Sequence, residues 1–411
     1  MTAVESALLC RSCRSSVLSP VLSIGRTPLA DRLLTREELN DPEPSELLNV
    51  VFCHNCSLVQ ITRTVAPEIL FSRSYPYFSS VSQVLCDHFS ASARSIIASR
   101  GLGPKSMVVE AASNDGCMLR NFVARGIPVL GIDPADAPVA KARSIGIPTV
   151  HTFFTKALAE HLVDENTYAD VFLANNILAH VADLNGFVEG MRMLLKPEGQ
   201  AVLECPYLAD LIDHCEFDTI YHQHLCYFSV TALDYLFRKH GMVLVDVEHT
   251  PIHGGSLRLF VQHVGDVSDR VLAFLQREEQ IGLTQPTYYQ NFSLRIEDIR
   301  ERLLTILLGI KLSGKTIAGY AAAAKATTLL AFCGIDGGIL DYIVDLSEFK
   351  RGRYMPGNHI PIYSPEMLAY APPDYLLVLA WNFASEIMEQ QRPYYESGGR
   401  FIIPIPSPTV V

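Results

Sequence analysis

The densest group of chemically active side chains lies in the sequence EFDTIYHQHLCYFS, residues 216–229. Tyr221, His222 and His224 could transfer a proton at neutral pH, bind a metal ion, or be buried rings satisfied by hydrogen bonds. In an extended chain, Tyr221 and Gln223 would face one way and His222 and His224 the other, so that one side could line a cleft. A tighter turn would change that grouping. Only two nearby carboxylates could complete a metal site, so this pattern favours general acid and base chemistry.

A second polar group follows the apolar run MVVE. Its loop has a single glycine and acidic side chains, which would repel the pyrophosphate of a dinucleotide. S-adenosylmethionine fits better, because it carries a sulfonium and an ammonium and no phosphate. Asp133, which ends the next apolar run, is placed to accept hydrogen bonds from ribose hydroxyls. The candidate cofactor residues of the loop are Glu110, Ala112, Ser113, Asn114, Asp115 and Gly116. The alternative is a Rossmann-like domain with ordinary capping residues.

Two cysteine pairs near the N-terminus have the spacing of a zinc site. Cys10 and Cys13 form one Cys-x-x-Cys pair, and Cys53 and Cys56 form the other. Four thiolates in two such pairs suit tetrahedral Zn(II), and the lack of an open ligand position predicts a structural ion. Two accidental pairs of buried cysteines are the alternative. His54 lies inside the second pair and is predicted to be a bystander.

The elements that must position these groups follow from the hydrophobic pattern. Short apolar runs alternate with amphipathic stretches of helical length, which is typical of a parallel sheet with crossover helices. We predict an α/β protein with a zinc-binding module at residues 1–70, a Rossmann-like methyltransferase domain at 71–250, and a second Rossmann-like domain at 251–411. The last domain includes a helical connection, and LRLFVQH within it is predicted to be a strand.

Composition excludes several classes of function. The chain has 411 residues, of which 49% are hydrophobic, and a formal net charge of -11 with 33 basic residues. The charge argues against nucleic acid as a partner, because binding phosphates requires clustered Lys and Arg. No apolar run is long enough for a membrane helix, and the N-terminus has no secretion signal. We expect a cytoplasmic monomer whose ten cysteines are reduced.

Several motifs together resemble one family over nearly the whole chain: the two cysteine pairs, ASNDG, NNILAH, YHQH, IHGGSLR, GYAAAAKA and RYMPGNHIPI. The chain resembles the sugar C-methyltransferases of antibiotic pathways. That resemblance implies methylation at C3 of a thymidine-diphosphate (TDP) 4-keto-deoxysugar, with S-adenosylmethionine as methyl donor. It also implies that the C-terminal domain binds the sugar nucleotide.

Carried over by position, the resemblance makes Tyr75, His180 and Tyr221 active-site residues and His224 the base. The family usually has Glu where this chain has Gln223, and an amide cannot exchange a proton at pH 7. Alanines also stand in GYAAAAKA where glycines are expected, so the site there would depend on Lys325. Further cofactor candidates are Asn175 and Asn176, and the substrate-binding candidates are Tyr77, His222, His253, Gly254, Gly255, Lys325 and Arg353, with Lys350 and Arg351 as further cations for the diphosphate.

Two other functions stay open at the level of sequence. A bifunctional enzyme would methylate the same sugar nucleotide and also reduce its C4 ketone with NADPH. A zinc-containing binding module would hold the nucleotide sugar without turnover, although the dense Tyr and His segment argues against it.

Overall fold

The computed structural model describes residues 8–70 and 77–411, and it has the predicted α/β architecture. A small antiparallel module precedes a central Rossmann-like domain, and a second α/β domain follows it. No helix in the described parts of the chain is long and apolar enough to cross a membrane.

The N-terminal module is an antiparallel sheet built around the cysteine pairs. Strands β1 (Leu18–Pro28), β2 (Ser45–Cys53) and β3 (Val59–Ile61) pair in sequence order, and helix α1 (Pro67–Leu70) follows them. Because β2 ends at Cys53, the second cysteine pair lies in the turn between β2 and β3. The two strands that flank this turn therefore hold the pair in place.

The central domain begins with helix α2 (Gln83–Arg100). Ser82 caps the start of α2 by accepting a hydrogen bond from the Leu85 backbone N–H. Left-handed Gly101 ends the helix, as is common at helix C-termini. The strands that follow are β4 (Val108–Ala111), β5 (Val129–Asp133), β6 (Thr149–His151), β7 (Ala169–Asn175), β8 (Leu195–Pro206), β9 (Cys226–Tyr227), β10 (Val243–Thr250) and β11 (Ser256–Gln262). The helices among them are α3 (Arg120–Val123), α4 (Asp136–Ser144), α5 (Lys156–Asp164), α6 (Leu184–Leu194), α7 (Leu208–Asp213) and α8 (Val230–Lys239).

The central sheet has the strand order β10-β11-β8-β7-β4-β5-β6. Strands β4 to β8 are parallel, and the hairpin β10–β11 adds two antiparallel strands at one edge. All four residues of β4 are buried, as expected for a parallel sheet covered on both faces. The chain leaves β4 and β7 in opposite directions, so a crevice opens at the carboxyl ends of these two neighbouring strands.

The second α/β domain repeats this arrangement on a smaller scale. Helices α9 (Asp269–Gln280) and α10 (Phe292–Leu312) connect it to the central sheet. Its sheet has the order β14-β13-β12-β15-β16-β17, with only β17 antiparallel, so its own crevice opens between β12 and β15. The strands are β12 (Ile317–Tyr320), β13 (Ile343–Val344), β14 (Ile362–Tyr363), β15 (Tyr375–Val378), β16 (Arg400–Ile403) and β17 (Thr409–Val410), and the helices are α11 (Ala324–Cys333), α12 (Met367–Tyr370), α13 (Ala384–Gln390) and α14 (Arg392–Glu396).

Two strands connect units that the sequence analysis separates. LRLFVQH forms a strand as predicted, but this strand, β11, pairs with β8 and β10 in the central sheet. The central sheet thus extends beyond the predicted boundary at residue 250. The short strand β9 pairs with β3, so the Tyr and His segment that precedes it is attached to the zinc-binding module.

Candidate active site

The four predicted zinc ligands come together in the N-terminal module. The Sγ atoms of Cys10, Cys13, Cys53 and Cys56 all lie within 4.8 Å of one another, and this is the only metal-compatible cluster within residues 8–70 and 77–411. Cys10 and Cys56 are 3.5 Å apart, as are Cys13 and Cys53. These separations suit four thiolates around one tetrahedral zinc ion. The His54 ring instead forms a hydrogen bond with the Ser19 hydroxyl, in agreement with its predicted role as a bystander.

The cofactor loop after β4 has a backbone of alternating left-handed residues. Ala112, Asn114 and Gly116 have φ values of 55°, 50° and 80°. A Cβ atom on Gly116 would lie 2.2 Å from the Ile147 side chain, so this position requires glycine. The left-handed conformation of Ala112 costs about 1 kcal/mol, since only glycine adopts it without strain. The surrounding contacts therefore hold this loop in a disfavoured shape at the crevice.

Asp133 lies beside this loop at the end of β5. Its carboxylate accepts hydrogen bonds from the backbone N–H groups of Asn114 and Ala135, both at 2.9 Å. Burial raises the pKa of Asp133, while these two hydrogen bonds oppose the rise. The carboxylate therefore fixes the loop and also lines the cavity described below.

The same crevice contains buried acceptor atoms. Glu110 Oε1 accepts a 2.9 Å hydrogen bond from Asn175 Nδ2. Glu110 Oε2 and Asn176 Oδ1 are buried and have no hydrogen-bond partner among the described residues. Burial raises the pKa of Glu110 to about 8. Glu110 is therefore mostly protonated at pH 7, and a positively charged ligand such as S-adenosylmethionine would favour its ionised form, whereas a phosphate would not.

His224 and Tyr221 form a hydrogen-bonded pair. His224 Nδ1 lies 2.7 Å from the Thr219 carbonyl oxygen, which can only accept, so Nδ1 carries the proton. Nε2 is then the unprotonated nitrogen, and it accepts a 2.9 Å hydrogen bond from the Tyr221 hydroxyl. Burial lowers the pKa of His224 well below its ordinary value and raises that of Tyr221 well above its own. At neutral pH the pair therefore combines a neutral imidazole base and a neutral phenol.

His180, which follows β7, lies against this pair. Its ring centroid is 4.8 Å from that of His224, in an edge-to-face arrangement. Burial lowers the pKa of His180 to about 4, although the backbone carbonyls of Gln223 and Asn176 oppose the change. His180 is therefore neutral at pH 7, like His224.

The Tyr and His segment forms a turn, so of the two arrangements considered from the sequence the extended one does not apply. The backbone N–H of His224 bonds to the Tyr221 carbonyl oxygen at 2.9 Å. This turn brings Tyr221, Gln223 and His224 to the cavity together and directs His222 elsewhere. His222 is fully buried beside the backbone of Glu46 and does not line the cavity, although it was predicted to bind substrate.

Lys325 is the main cation of the second crevice, and its charge is already balanced. Its Nζ donates a 2.7 Å hydrogen bond to Asn382 and lies 4.2 Å from the Trp381 ring centroid. Burial raises the pKa of Glu216 to about 7 and that of Asp218 to about 6, while Lys325 opposes both shifts. Trp381 Nε1 donates to Asp218 at 2.8 Å, so the C-terminal domain also holds the segment before Tyr221.

The other predicted diphosphate contacts are placed differently. His253 lines the cavity, and burial lowers its pKa to about 4. A Cβ on Gly254 would lie 2.3 Å from the Glu216 carboxylate, and one on Gly255 would lie 2.0 Å from the Asp210 carboxylate. These two glycines thus approach anions, which is unfavourable for a diphosphate.

A single cavity of about 580 Å³ joins these groups. It contacts the loops after β4 and β7 on one side and the loops after β12 and β15 on the other, with Tyr221 and His224 also on its wall. The predicted residues on its wall are Tyr77, Ala112, Asn114, Asp133, Asn175, Asn176, His180, Tyr221, Gln223, His224, His253, Lys325 and Lys350. The described predicted residues that do not line it are Glu110, Ser113, Asp115, Gly116, His222, Gly254, Gly255, Arg351 and Arg353. Tyr75 lies outside the described residues.

Sequence reasoning missed several residues of the wall. Asp31 comes from the zinc-binding module, and nothing in its local sequence indicates a site. Asn382 and Phe383 follow β15, where the rule that ligands bind at the carboxyl ends of parallel strands could have indicated them. Phe153 and Phe154 follow β6 in the same way.

Comparison with known proteins gives a consistent result. Residues 10–71 match a family model described as a putative zinc binding domain, and residues 88–247 match a methyltransferase domain. Residues 251–406 match a model described as a C-methyltransferase C-terminal domain.

Similar proteins include two curated methyltransferases and a solved structure. C-methyltransferase NovU of Streptomyces niveus is 35% identical over 405 residues, which is 98% of this chain and 96% of NovU. A ubiquinone biosynthesis O-methyltransferase of Azorhizobium caulinodans is 28% identical over 120 residues, covering 29% of this chain and 46% of its own. The crystal structure of 1,6-didemethyltoxoflavin-N1-methyltransferase of Burkholderia thailandensis covers 53% of this chain and 96% of its own, with 16% identity and a TM-score of 0.38.

Proposed function

Since the chain belongs to the family of zinc-containing C-methyltransferases, we propose that it methylates C3 of a TDP-4-keto-deoxysugar, with S-adenosylmethionine as donor. One observation carries this proposal: a single cavity joins the crevices of two α/β domains, with a base and a phenol between them. One crevice would hold the methyl donor and the other the sugar nucleotide.

The reaction requires a carbon nucleophile. A hydrogen on a carbon next to a ketone is acidic because its removal gives an enolate, whose charge lies largely on oxygen. A neutral base within reach of that hydrogen is therefore needed, together with a donor for the enolate oxygen. C3 and C5 both flank a C4 ketone, so NMR of the product must establish which of these two carbons is methylated.

His224 is the proposed base. Its hydrogen bond to Thr219 fixes the protonated nitrogen and leaves the Nε2 lone pair on the Tyr221 side. The Tyr221 hydroxyl is the proposed donor to the enolate oxygen. When the sugar binds, this hydroxyl would turn from His224 Nε2 to that oxygen, which frees the Nε2 lone pair to accept the C–H proton. Removal of one such donor would slow the reaction by about 100- to 1,000-fold. Burial, together with His180 packed against the base at a ring-centroid distance of 4.8 Å, keeps the pKa of His224 low, so that His224 is neutral and able to accept a proton.

The donor crevice would hold S-adenosylmethionine through its positive charges and its ribose. Asn175 and Asn176 lie at the end of β7 with the Glu110 carboxyl behind them. Asp133 lies at the end of β5, where it would accept hydrogen bonds from the ribose hydroxyls. When bound, the sulfonium supplies an electrophilic methyl group.

The sugar nucleotide would lie against the start of α11. Ala323, Ala324 and Lys325 line the cavity there, and the first backbone N–H groups of a helix favour phosphate. Left-handed Ala321, with a φ of 73°, shows that the alanine-rich loop has the tight turn expected of a glycine. The small alanine side chains still permit a close approach of the diphosphate.

Two readouts test the proposal. Purified protein would be incubated with a TDP-4-keto-deoxysugar and S-adenosylmethionine, and the product would be analysed by mass spectrometry and NMR. A gain of one methylene next to the ketone is expected, with release of S-adenosylhomocysteine. In D₂O without methyl donor, exchange of the adjacent C–H is expected for the parent protein and for Asp133→Ala, which would bind the donor poorly. His224→Asn should lose both activities.

A protein that produces neither methylated sugar nor exchange would contradict the proposal. The nicotinamide-dependent reduction is tested in the same reactions by adding NADPH, where a gain of two hydrogens would report it. No contact among the described residues favours that second activity.

A further inference from the structure

The zinc-binding module contributes a carboxylate to the cavity. Asp31 follows strand β1 and lines the same cavity as Tyr221 and His224. Its φ is 60°, a left-handed conformation that is uncommon outside glycine but tolerated by Asp and Asn. The chain therefore bends sharply at the residue that reaches the cavity.

Contacts with the C-terminal domain hold the loop that contains Asp31. Leu34 and Tyr354 exchange two backbone hydrogen bonds, each 2.9 Å long. Further along the loop, the Glu43 carboxylate accepts a 2.7 Å hydrogen bond from the Gly357 backbone N–H. The loop thus extends from the zinc-binding module to the C-terminal domain, and Asp31 is fixed from both ends.

Gln223 and Lys350 provide the polar surroundings of Asp31. The Gln223 amide donates a 3.3 Å hydrogen bond to the Ala30 carbonyl oxygen. The same amide lies close enough to the Asp31 carboxylate to favour its charged form, which opposes the rise in its pKa. Lys350 is buried; its Nζ donates to the Ala322 carbonyl oxygen at 2.8 Å and lies 3.7 Å from the Asp345 carboxylate.

The atoms that Asp31 and Gln223 leave available are acceptors only. These are the remaining lone pairs of the Asp31 carboxylate and the Gln223 carbonyl oxygen. Burial raises the pKa of Asp31, the Lys350 charge opposes that rise, and the Asp31 charge contributes to the raised pKa of Tyr221. Asp31 is only partly exposed, so acceptors grouped around it favour a ligand that donates hydrogen bonds and repel a phosphate.

We propose that Asp31 binds substrate by accepting a hydrogen bond from a hydroxyl or amino substituent of the sugar ring. This inference rests on the proposed function, and it assigns the zinc-binding module a part in recognising the sugar. The module then does more than stabilise the N-terminus. Asp31 would orient the ring so that the carbon next to the ketone faces the His224–Tyr221 pair.

The test uses two variants at this position and a matched control. Asp31→Asn keeps the shape and tolerates the left-handed backbone, while Asp31→Gly removes the side chain without strain. Asp41→Asn changes an exposed carboxylate on the same loop that does not line the cavity. Thermal denaturation and zinc content would establish that all three are folded.

Steady-state kinetics would use a series of TDP-4-keto sugars in which one ring hydroxyl at a time is replaced by an amine or by hydrogen. Loss of a charge-assisted hydrogen bond predicts a 10- to 100-fold rise in KM for Asp31→Gly, about 10-fold for Asp31→Asn, and no change for Asp41→Asn. For the one analogue that lacks the donor, the parent protein and Asp31→Gly should differ by less than about twofold, because the contact is already absent. The amine and hydroxyl members of the series identify which donor is preferred.

Three results would overturn the inference in distinguishable ways. If the parent protein methylates none of the series, the proposed function fails and the inference with it. If the parent protein is active and Asp31→Gly is unchanged on every substrate, Asp31 does not bind the sugar. If Asp31→Gly loses the same factor on every member, including each analogue with hydrogen, its role is structural.

Discussion

Replacement of Gln223 by Glu is the sharpest test of the polar contacts in the cavity. Gln223→Glu converts an amide that donates to the Ala30 carbonyl oxygen and favours the charge of Asp31 into a carboxylate that repels both. Gln223 is 1% exposed, so water screens little of this repulsion. Two charges about 4 Å apart at an effective dielectric constant of about 20 interact by about 4 kcal/mol.

The two carboxyl groups would avoid this cost by sharing a proton. We therefore expect the pKa of the pair to rise well above the ordinary value of about 4.3 for Glu. A carboxyl group with a raised pKa in the folded state holds a proton that the unfolded chain releases, so stability falls as the pH rises through that pKa. The expected loss of unfolding free energy is about 2 to 4 kcal/mol at pH 8, and about 1 kcal/mol at pH 5.5.

Thermal denaturation at several pH values measures this effect. For a chain of this length the loss at pH 8 corresponds to about 2 to 5 °C in Tm. Gln223→Met is the control, since it removes the same hydrogen bonds without a charge and should depend less on pH. The double variant Asp31→Asn with Gln223→Glu exchanges the acid and the amide. It should therefore recover at least half of the decrease in Tm that Gln223→Glu causes.

A Gln223→Glu variant that is as stable as the parent protein at pH 8 would refute this reasoning. So would a loss of stability that the double variant leaves unchanged. Either result would mean that Asp31 and Gln223 are not in contact in solution.

Three further predictions concern the base, the donor crevice and the metal. Tyr221→Phe removes the proposed donor to the enolate oxygen, and because methylation and C–H exchange in D₂O pass through the same enolate, both should fall by about 100- to 1,000-fold; unchanged exchange would contradict this role of Tyr221. Because the pKa of Glu110 is about 8, its carboxyl group holds about 0.9 proton at pH 7. Binding of the positively charged S-adenosylmethionine should lower this pKa and release up to that amount of proton per molecule bound. Calorimetry in two buffers measures the release, and Glu110→Gln should abolish it. Removing zinc with a chelator, or through Cys13→Ser, should lower the Tm and raise the KM for the sugar without changing the Kd of S-adenosylmethionine; a changed Kd with an unchanged KM would contradict the placement of Asp31.

Much of the molecule could be predicted because the relevant patterns are local. A cysteine pair separated by two residues specifies a metal-binding turn, and the four ligands indeed come together. Short apolar runs predict parallel strands, and the polar loops after β4 and β5 follow directly from them. The carboxyl ends of neighbouring strands meet at one edge, so Asn114, Asp133 and Asn175 all reach the same cavity.

A local pattern could not predict which side chains of the Tyr and His segment face the cavity. Alternation of side chains applies to a strand, whereas here a turn brings Tyr221 and His224 to the same hydrogen bond. His222 is directed away, although its residue type and position are as suggestive as those of its neighbours. The contacts that shape this turn come from elsewhere, as Trp381 does when it binds Asp218.

The sequence by itself determined the zinc ligands, the two α/β domains and the polar loop of the donor crevice, because each depends on residues close together in the chain. Only the tertiary structure decided that one cavity joins both crevices, that the carboxyl groups of Asp218 and Glu216 act on Lys325, and that Asp31 of the zinc-binding module lines the same cavity as His224. These features depend on side chains from distant segments that meet only after the domains pack. Their charges shift one another's pKa values through burial and proximity, which no local pattern records.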